Sequence, residues 1–356
     1  MKNIYSIIFI LASLFTTTSS AANLKILVSI NPIYSLVKNI TNGLSDTSLL
    51  INAQSSPHNY QLKPSDIKKI QDADIIIIVD DEFEIFLAKY LSKTSLKAKV
   101  IRLIHIPSLI TLPSRNIKVL NIDQPENKKE ETDSHEKHLH EHHHHENSNH
   151  NHKHHDHEHH HKAHNIDLHI WTDTLNAQIL VQELATILGE YDLKNKNQYS
   201  TNAHKTIKKL HALDMEIAKI LTKGIQNQPF IVFHDAYQYL EKRYNLKNAG
   251  SIAGNNFIYG SKTMKNLKNN IEKNGIKCIF AEPQFSDYFM KKVAKNTGTN
   301  VGYLDIEGGN FRESIKPEEL YFFMMKQNAK NIYDCLSLKN EKSYLGKLID
   351  KIDVSP

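Results

Sequence analysis

Six short apolar runs, at residues 24–30, 75–79, 100–103, 230–233, 278–281 and 301–304, are each followed by a polar stretch of helical character. Strands that alternate with helices in this way pair in parallel and build α/β sheets. The runs fall into two groups, and between the groups lie two helical patterns, at 173–191 and 194–223. The second pattern keeps Ala203, Ile207, Leu210, Ile217 and Leu221 on spacings of three, four and seven, which marks one buried stripe. At about 1.5 Å per residue such a helix spans roughly 45 Å. That is long enough to run the length of the molecule and tie two lobes stiffly together.

The amino terminus has a different character. Lys2 precedes an almost uncharged apolar run at 4–15, followed by polar residues at 16–20 and the small pair Ala21 and Ala22. This is the layout of a secretory signal peptide, with cleavage expected after Ala21 or Ala22. The run is shorter than the roughly 20 residues a bilayer span needs, so an uncleaved anchor is the weaker alternative. No cysteine sits near the junction to carry a lipid anchor, and the mature chain is expected free in a bacterial periplasm. It would keep about 330 residues, enough for two domains, and is expected to be a monomer. The formal net charge of +5 is spread along a Lys-rich chain with no Arg cluster and no interleaved aromatic and basic motif. That pattern describes a solvated surface and argues against a nucleic-acid partner.

The two cysteines, Cys278 and Cys335, are expected to pair if the chain is exported. Closing a loop of 57 residues stabilises a fold by at most about 4 kcal/mol in the chain-entropy model. Two buried free thiols are the alternative.

Residues 123–165 hold 16 of the chain's 22 histidines, with many acidic and Asn residues and almost no apolar ones. Such a composition cannot bury enough surface to offset ordering entropy, so the segment is expected to be a disordered insertion when metal-free. It contains two literal HExxH strings, starting at His140 and at His157. In so His-rich a tract they arise by chance, and the amphipathic helix that would aim them at a buried metal is missing. His142, His143, His144, His145, His159, His160 and His161 are candidate accessory metal ligands.

Six histidines lie outside this tract: His58, His105, His169, His204, His211 and His234. His58 stands in a turn behind Pro57, ahead of Pro64-Ser65-Asp66 and a helix-like run. His169 follows directly on the His-rich tract, with Trp171 placed to pack beside its ring. His234 follows the run at 230–233 and precedes Asp235, a residue suited to a helix N-cap. Side chains at the carboxyl ends of parallel strands point into the crevice where open α/β sheets bind ligands. Asp305 ends the run at 301–304 in the same manner. Three neutral imidazoles and one carboxylate suit zinc, and imidazole-rich sites also accept copper and nickel. Taken singly, each of these histidines is more often a surface or hydrogen-bonded residue, and Asp305 alone reads equally as a turn residue. His105, His204 and His211 are left as surface residues.

Four segments in order carry a resemblance: Pro57-His58-Asn59-Tyr60 with Pro64-Ser65-Asp66; Asp167-Leu168-His169-Ile170-Trp171 after the His-rich insertion; Phe233-His234-Asp235-Ala236-Tyr237; and Phe280-Ala281-Glu282-Pro283-Gln284-Phe285. Together they resemble the zinc-binding component of bacterial zinc ABC uptake systems, within the zinc and manganese cluster of solute-binding proteins. The resemblance implies an α/β fold of two (β/α)4-type lobes with mainly parallel sheets, joined by a long rigid helix, with the metal in the interlobe cleft. It implies lobes at 23–172 and 225–356, with the helices at 173–224 between them. His58 and His169 would come from the first lobe, and His234 and Asp305 from the second. A histidine at the third position favours zinc over manganese, and Cys278 and Cys335 match the position of a disulfide in the zinc branch. Some members carry a Glu immediately before the first histidine. Here that residue is Pro57, which leaves Asp305 or water as the fourth ligand, and the stretch 250–260 departs from the usual pattern and receives no role.

The expected function is capture of one zinc ion and delivery to a membrane permease, without catalysis. The His-rich insertion would serve as an accessory zinc store, or only tolerate and buffer excess metal. Nickel or copper capture is the nearest rival; a zinc hydrolase, which needs an open coordination position, and an adhesin are further ones.

Overall fold

The computed structural model describes residues 23–51, 56–115, 166–252, 261–309 and 315–338. The leader expected at 1–22, every histidine of the 123–165 tract, including the seven accessory candidates, and most of 250–260 lie outside these residues.

The first lobe runs β1 (Lys25–Val28), α1 (Asn31–Thr41), β2 (Asp46–Leu49), α2 (Pro64–Asp72), β3 (Ile75–Ile78), α3 (Ile85–Leu91) and β4 (Lys99–Arg102). Two helices follow, α4 (Thr174–Tyr191) and α5 (Lys196–Leu221). The second lobe runs β5 (Phe230–Val232), α6 (Gln238–Tyr244), β6 (Asn248–Ser251), α7 (Ser261–Asn274), β7 (Cys278–Ala281), α8 (Tyr288–Thr297), β8 (Asn300–Tyr303) and α9 (Pro317–Ser337). Each lobe holds a four-stranded sheet, ordered β2-β1-β3-β4 in the first and β6-β5-β7-β8 in the second, and every pairing is parallel. The strand order is the same in both. The chain leaves the first strand of each lobe to one side, then crosses to the other, so the ends of β1 and β3, and of β5 and β7, flank a switch point.

All six predicted runs are strands. The two strands not read from the sequence, β2 (Asp-Thr-Ser-Leu) and β6 (Asn-Ala-Gly-Ser), are the corresponding edge of each sheet. A strand with one paired side and partial exposure needs no continuous apolar run, so only its partner identifies it. By contrast β3 is four isoleucines, each fully buried between helical layers.

Helix α4 starts at the Asp173 cap, whose carboxylate accepts the Leu175 N–H at 2.8 Å. Helix α5 is 26 residues, about 39 Å long, and makes its most extensive contact with α4. It buries Ala203, Leu210, Ile217 and Leu221 as the spacing predicts, while Ile207 is half-buried because Thr206 takes the inward position. The exposed faces of α5 carry His204 and His211, and His105 is also exposed.

The larger hydrophobic core is continuous from Ile26 in β1, through α4 and α5, to Leu336 in α9. A smaller cluster, including Ile231, Ile252, Leu267, Ile279 and Val293, belongs to the second lobe alone. Helix α9 crosses back to the first lobe, where Asn39 Nδ2 donates to Glu318 O at 2.6 Å and Tyr321 N donates to Ser35 Oγ at 3.0 Å. A disulfide joins Cys278 at the start of β7 to Cys335 near the end of α9, with a Cα–Cα distance of 6.0 Å. Among the described residues no helix is long and apolar enough to cross a membrane.

Candidate metal centre

His58, His169 and His234 converge between the lobes, each with a ring nitrogen within 4.8 Å of the others. They are the group of metal-ligating side chains that the fold gathers among the described residues. His58 comes from a 3-10 turn, Pro57–Asn59, beyond the β2 edge strand. The turn is fixed from below: Tyr60 Oη donates to Asp66 Oδ2 at 2.8 Å, and the same oxygen accepts the Lys63 N–H at 2.9 Å at the start of α2. The Tyr60 and Pro64-Ser65-Asp66 motif therefore holds the loop that carries His58.

His169 caps a second 3-10 turn, Ile170–Thr172, which leads into α4. Its Nδ1 lies 2.8 Å from Asp167 Oδ1, and its backbone N–H donates to the same oxygen at 3.0 Å. Trp171 does pack beside the ring, with centroids 5.5 Å apart, and its indole N–H donates to Ile306 O of the second lobe at 2.9 Å. His234 follows β5. Its Nδ1 lies 3.0 Å from Oε1 and 3.2 Å from Oε2 of Glu282, the residue after β7. The two switch-point strands of the second lobe thus supply a histidine and the carboxylate that orients it.

With Nδ1 engaged on both rings, the Nε2 atoms of His169 and His234 meet across the cleft at 3.3 Å. A carboxylate behind the imidazole fixes its tautomer and strengthens it as a metal ligand. The sequence alone assigns no role to Asp167 or Glu282. Asp167, two residues before His169, was within reach of a local reading; Glu282, 48 residues beyond His234, required the sheet order. Among the described residues no carboxylate is bonded to His58 in this way. Its ring stacks edge-on against Phe83 at 4.9 Å, and Phe83 also touches His169 at 5.7 Å.

The electrostatics differ between the rings. Desolvation pushes the His58 imidazolium down to about 3, with His169 and His234 adding to the shift. Burial would lower His234 too, but the charge and hydrogen bond of Glu282 outweigh it and raise its pKa above the usual histidine value. Asp167 is held below the ordinary carboxylate range, because its bond to His169 overcomes the effect of burial.

Asp305, after β8, is buried but does not belong to the three-histidine group. Its Oδ1 accepts the Glu307 N–H at 3.1 Å and the Gly309 N–H at 2.9 Å. Burial drives Glu307 strongly towards its neutral form, with Asp305, Glu282 and Glu84 reinforcing the effect. Asp235 is not the N-cap its position suggested. Helix α6 begins three residues later behind Tyr237, and the Asp235 carboxylate is taken by Arg115 at 2.6 Å. The cleft opens beside His58 and His169 as a cavity of about 330 Å³, lined also by Phe83, Arg115, Asp167 and Asp235.

Comparison with known proteins identifies the family. Residues 26–335 match the family model of ZnuA, "Zinc-uptake complex component A periplasmic". The high-affinity zinc uptake system protein ZnuA of Brucella suis is 36% identical over 349 residues, covering 95% of this chain and 100% of the relative. The protein of the same name from Haemophilus ducreyi is 37% identical over 305 residues, covering 85% and 91%. A crystal structure of ZnuA superimposes with a TM-score of 0.66 at 21% identity, covering 88% of this chain and all of the other. A family match over most of its length, together with relatives above 30% identity, establishes that the chain belongs to the ZnuA family of periplasmic zinc-uptake components.

Proposed function

We propose that the chain holds one zinc ion between His58, His169 and His234 and presents it to the membrane permease of an ABC uptake system. One observation carries this reading. Two imidazoles from opposite lobes face each other through Nε2, and each is oriented at Nδ1 by its own carboxylate. Neutral nitrogen donors at this spacing suit zinc, and the similar proteins are named for zinc uptake. The family is one of transport components and not of enzymes, so a zinc hydrolase is set aside. Copper and nickel accept imidazole as well, and competition between metals is the measure of selectivity.

The fourth position is assigned to Asp305. It follows β8, next to β7 with its Glu282, and both carboxylates act on the buried Tyr237 hydroxyl. If water fills the position instead, Asp305→Ala keeps the wild-type zinc affinity. The His-rich segment serves as an accessory store that feeds the cleft, so its deletion slows growth under zinc starvation; unchanged growth reduces it to a passive buffer. Export through a cleaved signal peptide predicts a mature chain that begins at Ala22 or Asn23, as terminal sequencing would report. A monomer in sedimentation completes the reading.

Zinc must displace protons from the ligands it binds. His58 is held low, so protons compete little for it, whereas His234, held above the usual histidine value by Glu282, is the ligand at which protons compete with zinc first as pH falls. Affinity therefore falls as pH drops below the raised pKa of His234, approaching about tenfold per pH unit for one competing proton. The direct test is a competition titration of a His234→Ala chain without residues 123–165. Wild-type zinc affinity in that chain would sink the proposal.

A further inference from the structure

The two ends of the 116–165 segment meet where they leave the first lobe. Pro113 and Ile166 form an antiparallel bridge, and the Asp167 N–H donates to Leu112 O at 2.9 Å. This stalk is bonded along its length to α6 of the second lobe. Tyr239 Oη accepts the Leu112 N–H at 3.1 Å and donates to Asp167 O at 2.6 Å, and Gln238 Nε2 donates to Pro113 O at 3.2 Å.

Arg115 closes the arrangement. Its Nη2 donates to Asp235 Oδ1 at 2.6 Å and its Nε to Asp235 Oδ2 at 3.1 Å. The same guanidinium reaches Glu241, with Nη1 to Oε2 at 2.6 Å and Nη2 to Oε1 at 2.9 Å. Glu241 is buried and also accepts from Asn248 Nδ2 in β6 at 2.8 Å. One planar fork thus grips two carboxylates at once, a geometry that lysine cannot reproduce. Asp235 follows His234 directly, and Asp167, whose carbonyl Tyr239 holds, orients His169. The same cross-lobe contact therefore stands behind both halves of the His169–His234 pair.

We propose that Arg115 is a positioning residue for the metal site, clamping the stalk of the first lobe onto α6 of the second and so holding His234 opposite His169 before metal arrives. The inference rests on the zinc reading above and adds a device that fixes lobe spacing. A site organised before binding loses less conformational freedom when it closes on its ligand. Without the guanidinium, Asp235 and Glu241 become two neighbouring carboxylates with no cation between them, and their repulsion loosens α6 from the stalk.

The test uses the full exported chain with Arg115→Ala and Arg115→Lys variants and reads two quantities. Zinc dissociation, followed by chelator challenge, is expected to be at least about tenfold faster in Arg115→Ala, the scale of outer-shell changes at metal sites. Arg115→Lys is expected to recover part of the loss. Spin labels at Lys93→Cys on the first lobe and Lys292→Cys on the second then report the interlobe distance without metal. The clamp predicts a narrow distribution in the parent chain, a broad one in Arg115→Ala, and narrowing of the latter when zinc is added. A residue that only stabilises the fold would lower the melting temperature and leave the distance distribution unchanged. If Arg115→Ala fails to fold, Glu241→Gln, which removes one arm of the fork, is expected to broaden the distances in the same direction. Parental dissociation rates and distances in the folded variants would overturn the proposal. A parent chain that fails to hold zinc would instead overturn the proposed function.

Discussion

The two lobes share a strand order but use their switch points differently. In the second lobe the ends of β5 and β7 bring His234 against Glu282. In the first, the ends of β1 and β3 bring Ser29 against Glu84, with Ser29 Oγ donating to Glu84 Oε1 at 2.5 Å. Glu84 is fully buried and also accepts the N–H groups of Val79 and Asp80, each at 3.1 Å. Desolvation nevertheless raises it to about 7, against the pull of those three donors. The same topological position thus holds a histidine–carboxylate pair that opens on the cleft in one lobe and a closed structural pair in the other. The first lobe instead brings His58 from an edge loop and His169 from the turn after the insertion.

The contrast breaks first at the ligands. His234→Ala and His169→Ala should each weaken zinc binding by more than the roughly 100-fold upper range of outer-shell changes, whereas Ser29→Ala should leave affinity alone. Equal losses in competition titration would mean that the switch points are not distinct.

The two glutamates come next. Glu84 is raised above its unfolded value, so its contribution to stability is complete below about pH 4.5 and is lost as pH rises through about 7. Wild type should therefore lose up to about 3 kcal/mol relative to Glu84→Gln across that window in metal-free unfolding curves, with no change in zinc affinity. Parallel curves for the two proteins would contradict the burial argument. Glu282→Gln should do the reverse, lowering zinc affinity by about 10- to 100-fold with a smaller effect on folding.

The smallest effect concerns the face of β8 that packs into the larger core. A Cβ on Gly302 in β8 would lie 2.5 Å from Phe280 Cε1 and 3.2 Å from Cys335 Sγ. Gly302→Ala should cost about 1 kcal/mol or somewhat more through overpacking. An unchanged melting temperature would show that Phe280 can yield.

What the sequence made legible follows burial. Strands covered on both faces, such as Ile75-Ile76-Ile77-Ile78, announce themselves by composition, and so do the stripe of α5 and the isolated histidines. The edge strands β2 and β6 do not, since pairing alone makes them strands. The return of α9 to the first lobe depends on contacts 279 and 286 residues apart, and the partners of His234 and Asp235 lie 48 and 120 residues away, separations that no local pattern encodes. Asp235 shows the cost of a local reading: its cap chemistry was sound, but a distant guanidinium outbid the helix.

Tight zinc binding is expected at the interlobe histidines and not in the His-rich segment. Elemental analysis of the chain lacking residues 123–165, purified from the periplasm without added metal, tests it directly. About one zinc per chain is the expected result. A metal-free deleted chain, alongside a full chain that carries zinc, would contradict it.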